Sequence, residues 1–295
     1  MTAEYLRTNN LSCLNELSTA FPPGYLESLG WKRGTRPLSF TVVDENEEKF
    51  FLKCFSPDKE DMAEREVRMT RLGGEALSQL EEVYVPQVLT YMPQPFPHII
   101  YECIEGETIG DRYHVTSRMA QYVTPLVERT IAELQKRTSL LDHDVRVKNG
   151  IKLESRLLFL EKTRQLVKPE THAFLTKALG EYYELEEDKL RAVHSDLNMA
   201  HLLVSKKDQR LVIIDWEYLS VGEPLKDYAY YFAGYLCEKD AQEKILARFA
   251  TPRELAVLYS YIILGLNYLV DKPEHFRAYA LAVERLNKLI AKTYA

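Results

Sequence analysis

The stretch VHSDLNMAHLLVSKKDQRLVIIDWE, residues 193–217, sets two histidines and two aspartates around two short apolar runs. The runs, 202–204 and 211–214, are separated by the polar segment SKKDQR and predict a β-hairpin. Asp196 lies before the first strand, and Asp215 lies directly after the second. A phosphoryl-transfer site, a metal-hydrolase site and an ordinary hairpin with polar ends are all open at this point.

The spacing of the polar residues separates these alternatives. Phosphoryl transfer needs one carboxylate that accepts or orients the proton of the attacking hydroxyl, and separate ligands that hold magnesium on the phosphates. In kinase catalytic loops these groups stand five positions apart, and a second metal-binding Asp follows further on. His201 lies five positions after Asp196, and Asp215 closes the hairpin. The pattern therefore favours phosphoryl transfer.

Composition narrows the class of protein. The chain has 295 residues, 46% of them hydrophobic, which is enough for two domains with a substantial core. Its net charge of −6 argues against a nucleic-acid partner, which requires a basic face. The four cysteines are scattered, as in reduced intracellular proteins. The longest uncharged apolar run, 255–270, is shorter than the about 20 residues of a membrane span. We therefore expect a cytoplasmic protein without a membrane segment.

Hydrophobic patterning predicts two lobes. Strand-like runs occupy residues 38–44, 49–55, 84–91 and 97–104. Between the second and third runs, SPDKEDMAEREVRMTRLGG predicts one helix that ends at Gly73 and Gly74. Residues 115–190, and those from about 225 onward, follow helical spacing. We expect an α+β fold with lobes at residues 1–105 and 106–295.

The segments VHSDLNMAHLLV and LVIIDWEYLSVGEPLKDYA resemble the aminoglycoside phosphotransferase and choline kinase family. The core of that family reads H-G-D-L-h-x-x-N-h-L, then I-D-W/F-E, then G-x-P-x-x-D-h-A. The resemblance implies a two-lobed protein-kinase-like fold, with a small antiparallel sheet in the N-lobe and a mainly helical C-lobe. It also implies transfer of the γ-phosphate of ATP or GTP to a hydroxyl of a small molecule, with Mg²⁺ as the metal.

Matching this pattern position by position assigns roles to five residues. Asp196 is the catalytic carboxylate, and His194 supports its loop. Asp215 is the principal magnesium ligand, and Glu217 lies near the metals or the acceptor. Asp227 braces the loop.

Two positions depart from the family pattern. Ser195 replaces a glycine, which costs little if the local backbone keeps φ negative. His201 stands where the family has Asn as a metal ligand. Magnesium prefers oxygen ligands, so Mn²⁺ is a second candidate metal. The macrolide phosphotransferase pattern H-G-D-L-x-x-G-H also places a His here, so the change is compatible with activity.

The N-terminal lobe offers the remaining parts of a kinase-like site. Such a site needs a strand lysine, oriented by a glutamate on the next helix, to bind the phosphates. Lys53 lies in the strand FFLKCF, where an unpaired ammonium would be costly. The partner that we predict is Glu66 in AEREV, in preference to Glu64.

The resemblance also suggests how the nucleotide is bound. It maps IIYECIEG onto the hinge between the lobes, where the backbone of Glu102 and Ile104 would meet the adenine edge with Tyr101 behind it. The phosphate-capping loop is the weakest match, because LGWKRGTR contains neither G-x-G-x-x-G nor a Walker A motif. We assign the capping role to backbone near Gly34.

Two other functions remain as alternatives. A metal-dependent phosphoester hydrolase would use His194, Asp196, His201 and Asp215 as direct ligands, but it gives Lys53 no role. A pseudokinase-like regulatory module would bind nucleotide without transferring phosphate, and the departure at His201 is its main support. The identity of the acceptor (an antibiotic, an amino alcohol or a sugar) has no readable motif.

Overall fold

The structure is a computed structural model. It describes residues 5–7, 36–44, 46–94, 96–111, 114–115, 119–141 and 189–234, together with isolated positions at 161–177 and 249–291. The chain divides into two compact units. The first unit contains Met1–Gly106 and Ser205–Tyr218, and the second contains Glu107–Val204 and Leu219–Ala295.

The described strands and helices follow in chain order. The strands are β1 (Tyr5–Arg7), β2 (Leu38–Val43), β3 (Lys49–Cys54), β4 (Val83–Tyr84), β5 (Val88–Met92), β6 (His98–Glu102), β7 (Gly106–Thr108), β8 (Gly110–Asp111), β9 (His114–Val115), β10 (Arg191–Val193), β11 (Leu202–Ser205), β12 (Leu211–Ile213) and β13 (Ser220–Gly222). The α-helices are α1 (Glu60–Leu77), α2 (Ala120–Lys136) and α3 (Lys226–Ala233). Short 3-10 helices cover Pro57–Lys59, Thr138–Leu140, Met199–His201 and Trp216–Tyr218.

The first unit is built on a five-stranded sheet with the strand order β1-β2-β3-β6-β5. Strand β1 runs parallel to β2, and the other neighbours are antiparallel. The turn between β2 and β3 is organised by Asp44, whose carboxylate accepts the backbone amides of Asn46 and Glu48 at 2.9 and 2.7 Å. The predicted hairpin of β2 and β3 is confirmed, as is the predicted strand at β6. The run predicted at 84–91 forms two strands, β4 and β5, and β1 was not predicted.

The two faces of this sheet pack against different apolar clusters, and Lys53 points to the face that helix α1 covers. Leu52 and Cys54 belong to an apolar cluster on one face. Side chains alternate along a strand, so Lys53 points to the opposite face. There it lies across from Ile99 of β6, which packs with Val67 of α1. The strand pattern thus presents one lysine to the helix.

Helix α1 does not end where the sequence predicts. The helix runs through Gly73 and Gly74 and continues to Leu77. A Cβ built on Gly73 would lie 2.5 Å from the indole of Trp216. This glycine therefore permits a close approach between helix and ring, and does not act as a stop signal.

The predicted hairpin after the catalytic-loop motif is confirmed. The amide of Ser205 donates to the carbonyl of Arg210 at 2.9 Å, which closes the turn between β11 and β12. Gln209 in this turn adopts a positive φ of 58°. Strand β12 then pairs in parallel with β4, with Leu211 opposite Val83. This pairing places the end of β12 within the first unit.

The second unit contains helices α2 and α3 and the antiparallel pair β10 and β13. The predicted helix at α2 is confirmed, and its apolar stripe is buried at Val123, Val127, Ile131 and Leu134. The Thr124 hydroxyl and the Tyr231 hydroxyl of α3 are hydrogen-bonded at 2.8 Å. Most of the predicted helical segments at 152–190 and 255–270 lie outside the described residues. In the described part of the chain, no helix is both long enough and apolar enough to cross a bilayer.

Candidate active site

The side chain of Lys53 lies among three carboxylates of the first unit. Its Nζ is 2.7 Å from Oε2 of Glu66, 3.1 Å from Oδ1 of Asp215 and 4.0 Å from Oε2 of Glu217. Only 13% of the lysine side chain is exposed, so its charge requires these partners. Glu64, the alternative helix partner, is exposed. We call Lys53, Glu66, Asp215 and Glu217 the lysine cluster.

Electrostatics keep the lysine charged. Burial alone would lower the pKa of Lys53, but attraction to Glu66, Asp215 and Glu217 outweighs burial and raises that pKa above its ordinary value. Burial raises the pKa of Glu66, against the opposing influence of the Lys53 charge. Within the cluster, three carboxylates face one ammonium, which favours the arrival of a further cation.

The segment that follows β12 packs against helix α1 and is hydrogen-bonded to it. Asp215 adopts a left-handed backbone with φ of 65°. The fully buried Trp216 donates its Nε1–H to the carbonyl of Ile213 at 2.9 Å and packs on Gly73. Arg65 of α1 donates from Nε to the carbonyl of Glu217 at 3.0 Å. Helix α1 therefore carries Glu66 and also positions the two acidic residues of the other segment.

The carboxylates of the lysine cluster fit a divalent metal. One oxygen from each of Glu66, Asp215 and Glu217 lies within 4.8 Å of the others. Carboxylate oxygens are the ligands that magnesium and manganese prefer. The chemistry of these oxygens suits Mg²⁺ or Mn²⁺, and the predicted ligand pair of Asp215 and His201 stays a prediction.

The loop around Asp196 in the second unit is held by hydrogen bonds from backbone and side-chain amides to carboxylates. The buried carboxylate of Asp227 accepts the backbone amides of His194 at 2.7 Å and Ser195 at 2.8 Å. Ser195 adopts a positive φ of 74°, so the condition under which a serine replaces the glycine of the family pattern at little cost is not met. Its hydroxyl is hydrogen-bonded to that of Ser220 at 2.8 Å. We call residues 194–198 the aspartate loop.

Asn198, which the sequence analysis did not select, holds the carboxylate of Asp196. Its Nδ2 donates to Oδ1 of Asp196 at 3.1 Å, and its Oδ1 accepts the amide of Ala200 at 3.1 Å. Nδ1 of His201 lies 2.8 Å from the carbonyl oxygen of Asp196 and 3.2 Å from Nδ2 of Asn198, so the His201 ring is held against the aspartate loop. The available signal for Asn198 was its type, because an Asn before a helical turn commonly caps it.

The predicted hinge residues lie at the end of β6. The amide of Glu102 donates to the carbonyl of Gln87 at 3.2 Å, so this N–H is used within the protein. The Glu102 carboxylate accepts the Tyr84 hydroxyl and the Gln87 amide. Arg210 lies 4.3 Å above the Tyr84 ring. Gly34, the predicted phosphate cap, lies outside the described residues.

The structure thus assembles the predicted residues into two groups. The first unit brings together Lys53, Glu66, Asp215 and Glu217, with Glu102 and Ile104 at the end of β6. The second unit brings together His194, Asp196, His201 and Asp227.

Comparisons with known structures identify the fold. The GDP and kanamycin complex of APH(2″)-IIIa matches with a TM-score of 0.54 and 17% identity over 90% of this chain and 93% of that one. A thermostable mutant of aminoglycoside phosphotransferase APH(4)-Ia, in a ternary complex with ADP and hygromycin B, matches with a TM-score of 0.56 and 14% identity over 92% and 98%. Spectinomycin phosphotransferase APH(9)-Ia, in complex with ADP and spectinomycin, matches with a TM-score of 0.54 and 12% identity over 87% and 90%. These likenesses show the fold, and the predicted kinase-like α+β fold is confirmed.

The family follows from the sequence as a whole. The model of the phosphotransferase enzyme family (APH) matches residues 31–257. The chain therefore belongs to this family of phosphotransferases, as its motifs predicted, and it is a small-molecule phosphotransferase that acts on a hydroxyl group. No curated protein matches the sequence significantly.

Proposed function

We propose that this chain transfers the γ-phosphate of ATP or GTP to a hydroxyl of an antibiotic, an amino alcohol or a sugar-like acceptor. The observation that carries the proposal is the position of Lys53, which is buried, charged and in contact with both Glu66 and Asp215. A strand lysine paired with a helix glutamate is the phosphate-binding device of kinase-like enzymes. An ordinary hairpin with polar ends gives no reason to bury an ammonium there.

The lysine cluster would bind the phosphates and the metal. Lys53 contacts phosphate oxygens, and Glu66 keeps its ammonium directed toward them. Asp215 and His201 are the proposed metal ligands, and the Glu217 carboxylate adds to the negative charge around Asp215. When bound, Mg²⁺ or Mn²⁺ neutralises the charge of the phosphates and orients them.

The aspartate loop would bind and orient the acceptor. Asp196 accepts or orients the proton of the attacking hydroxyl. Asn198 holds its carboxylate through Oδ1, and we assign Oδ2 to the acceptor hydroxyl. Asp227 fixes the backbone of the loop through two amides, and His194 accepts the amide of Asp196 at 3.3 Å. This preorganisation supports a catalytic contribution from positioning.

The end of β6 would bind the nucleotide base. The amide of Glu102 is already bonded to Gln87, so we assign the carbonyl of Glu102 and the amide of Ile104 to the base. The tie between Tyr84 and the Glu102 side chain supports a rigid strand end. The assignment of Gly34 to the phosphates rests on the sequence.

The test is a screen for nucleotide consumption with a panel of the three acceptor classes, run with both ATP and GTP. We expect acceptor-dependent turnover that Asp196→Ala abolishes, while nucleotide binding by this variant stays close to wild type. Asp208→Ala, in an exposed turn, serves as the matched control and should retain turnover. Undiminished transfer by Asp196→Ala would remove the proposed base.

A second experiment addresses the metal. His201→Asn restores the oxygen ligand of the family pattern, so we expect activity to persist and its preference to move from manganese toward magnesium. Turnover is measured with each metal in parallel for both proteins. Loss of activity under both metals would assign His201 a role other than coordination.

Two other functions give different results in the same screen. A nucleotide-binding regulatory module would bind ATP or GTP without acceptor-dependent turnover, and His201 at the metal position is the observation that favours it. A hydrolase would release phosphate from a phosphoester without nucleotide. The pairing of Lys53 with Glu66 disfavours the hydrolase, because that function gives a buried, paired lysine no role.

A further inference from the structure

Glu66 is held by two different elements of the first unit. Its Oε2 contacts Lys53 of β3 at 2.7 Å, and its Oε1 accepts the hydroxyl of Tyr101 of β6 at 2.8 Å. Both Glu66 and Tyr101 are buried, with 2% and 7% of their surfaces exposed. One oxygen of the carboxylate accepts a hydrogen bond and the other forms an ion pair, so its rotation is restricted from both sides.

The hydroxyl of Tyr101 is not required for packing. Its ring belongs to the apolar cluster with Phe55, Val67 and Ile99, and it lies 6.2 Å from the ring of Phe51. A phenylalanine would fill the same space. The hydroxyl is therefore an additional polar group in an apolar layer, and hydrogen bonds from such groups to a carboxylate are among the stronger ones in proteins.

The Tyr101 hydroxyl takes part in two hydrogen bonds, and their directions are consistent with each other. Thr70, one turn further along α1, hydrogen-bonds to the Tyr101 hydroxyl as well. Glu66 as a carboxylate can only accept, so the Tyr101 proton goes to Glu66 and Thr70 donates to the Tyr101 oxygen. The chain Thr70, Tyr101, Glu66 and Lys53 has one consistent arrangement of protons.

Lys53 needs such a restraint because it has competing partners. Asp215 lies at 3.1 Å and Glu217 at 4.0 Å from the same ammonium. A Glu66 side chain that is free to rotate would let the lysine move toward these acids. A fixed Glu66 keeps the ammonium at one place on β3.

We propose that Tyr101 is a positioning residue for the phosphate-binding lysine, acting through Glu66. This inference rests on the proposed function. Tyr101 is followed in the chain by the residues that we assign to the base, Glu102 and Ile104. Strand β6 and the residues directly after it therefore contact the base, and through Tyr101 and Glu66 the same strand also fixes the position of Lys53. One element thus positions the groups that bind both ends of the nucleotide.

The direct test is Tyr101→Phe, with the affinity for ATP and GTP measured by titration calorimetry in the presence of magnesium. We expect affinity to fall by about tenfold, in line with the loss of one hydrogen bond to a charged group. The matched control is Tyr91→Phe on the neighbouring strand, whose hydroxyl has no hydrogen-bond partner among the residues that the structure describes. This control should bind nucleotide like wild type.

A double-mutant cycle shows whether Tyr101 acts through Glu66. In a Glu66→Gln background, Tyr101→Phe should weaken binding by less than about twofold further, because the charged acceptor is gone. Wild-type affinity in Tyr101→Phe, or the same tenfold loss in both backgrounds, overturns the proposal. If Tyr101→Phe fails to fold, Thr70→Val replaces it, and an unchanged affinity in that variant counts against the proposal.

The same measurements separate this inference from the proposed function. Wild-type protein that binds neither ATP nor GTP overturns both. Wild-type protein that binds nucleotide without transferring phosphate removes the transferase proposal, and the cycle still decides the role of Tyr101. Turnover with normal affinity in Tyr101→Phe removes only the inference.

Discussion

The lysine cluster and the aspartate loop hold their acidic groups by different means. In the lysine cluster, three carboxylates share one ammonium, and opposite charge keeps them together. In the aspartate loop, Asp227 accepts two backbone amides and Asp196 accepts a side-chain amide. One centre is organised by ion pairs and the other by neutral donors.

The difference matches what each centre is proposed to do. A cluster with more carboxylates than cations has capacity for a metal ion and for the phosphates that the metal accompanies. A loop fixed by backbone amides keeps one geometry regardless of ligand, which suits a base that must meet a hydroxyl at one distance. Stability should therefore depend more on the aspartate loop than on the lysine cluster.

The largest expected loss of stability comes from a substitution that removes the hydrogen-bond acceptor of the aspartate loop. Asp227→Ala leaves two buried amides, those of His194 and Ser195, without an acceptor, at a cost of about 1–3 kcal/mol for each. The free energy of unfolding from urea titration should fall by about 2–6 kcal/mol. Asp215→Asn, in the lysine cluster, removes one of three acids around one ammonium and should change it by less than about 1 kcal/mol. Equal losses in the two variants would erase the contrast.

The next largest loss of stability is expected at the contact between Gly73 of helix α1 and Trp216, which lies beside Asp215 in the chain. Gly73→Ala places a Cβ 2.5 Å from the ring of Trp216, and overpacking of this kind costs about 1–3 kcal/mol. Gly74→Ala is the matched control, because its Cβ would meet Val85 at 3.9 Å, an ordinary contact. The control should be neutral or stabilising, since alanine favours a helix. Thermal unfolding of both variants measures the difference, and equal stabilities would show that the ring yields at no cost.

A smaller effect measures strain in the aspartate loop. Ser195→Gly and Ser195→Ala both lose the hydrogen bond to Ser220, but only glycine adopts the observed positive φ without strain. The glycine variant should be more stable than the alanine variant by about 1–2 kcal/mol. Denaturant unfolding of the two proteins gives this value directly. Equal stabilities would indicate that the loop relaxes to a negative φ.

The smallest effect is a dependence on pH. Burial raises the pKa of Asp227 to about 6, against the opposing hydrogen bonds from His194 and Ser195. The folded chain then binds more protons than the unfolded chain between pH 3.8 and about 6, so this contribution to stability is present at low pH and lost as pH rises. Relative to Asp227→Asn, wild type should gain about 1 kcal/mol between pH 7 and pH 5. A flat difference would place the pKa outside this window.

The sequence predicted the parts of the fold that depend on local pattern. Alternation in KFFLKCF located β3, and the polar turn at 205–210 located the hairpin that carries Asp215. The end of α1 was wrong because the usual meaning of two glycines was overridden by packing against Trp216, which lies 143 positions from Gly73 in the chain. No local pattern reveals such a contact.

The same limit applies to the site. Spacing and family resemblance were sufficient to select Lys53, Glu66 and Asp215. In the structure, the ammonium of Lys53 lies 2.7 Å from the Glu66 carboxylate and 3.1 Å from the Asp215 carboxylate. Asn198 and the Tyr101 hydroxyl were not selected, because their roles depend on contacts with another side chain. The sequence left the sign of φ at Ser195 open, and the structure gives it a positive φ together with a hydroxyl bond to Ser220.

The contact between Gly73 and Trp216 gives the protein an optical reporter of its own. Trp216 lies between two acids of the lysine cluster, is 1% exposed, and is one of two tryptophans in the chain. Its emission should be blue-shifted while the ring is covered by helix α1, and should move to longer wavelengths if that cover opens. With Trp31→Phe as the background, the intrinsic fluorescence of a single indole can follow nucleotide and metal titrations without any attached dye.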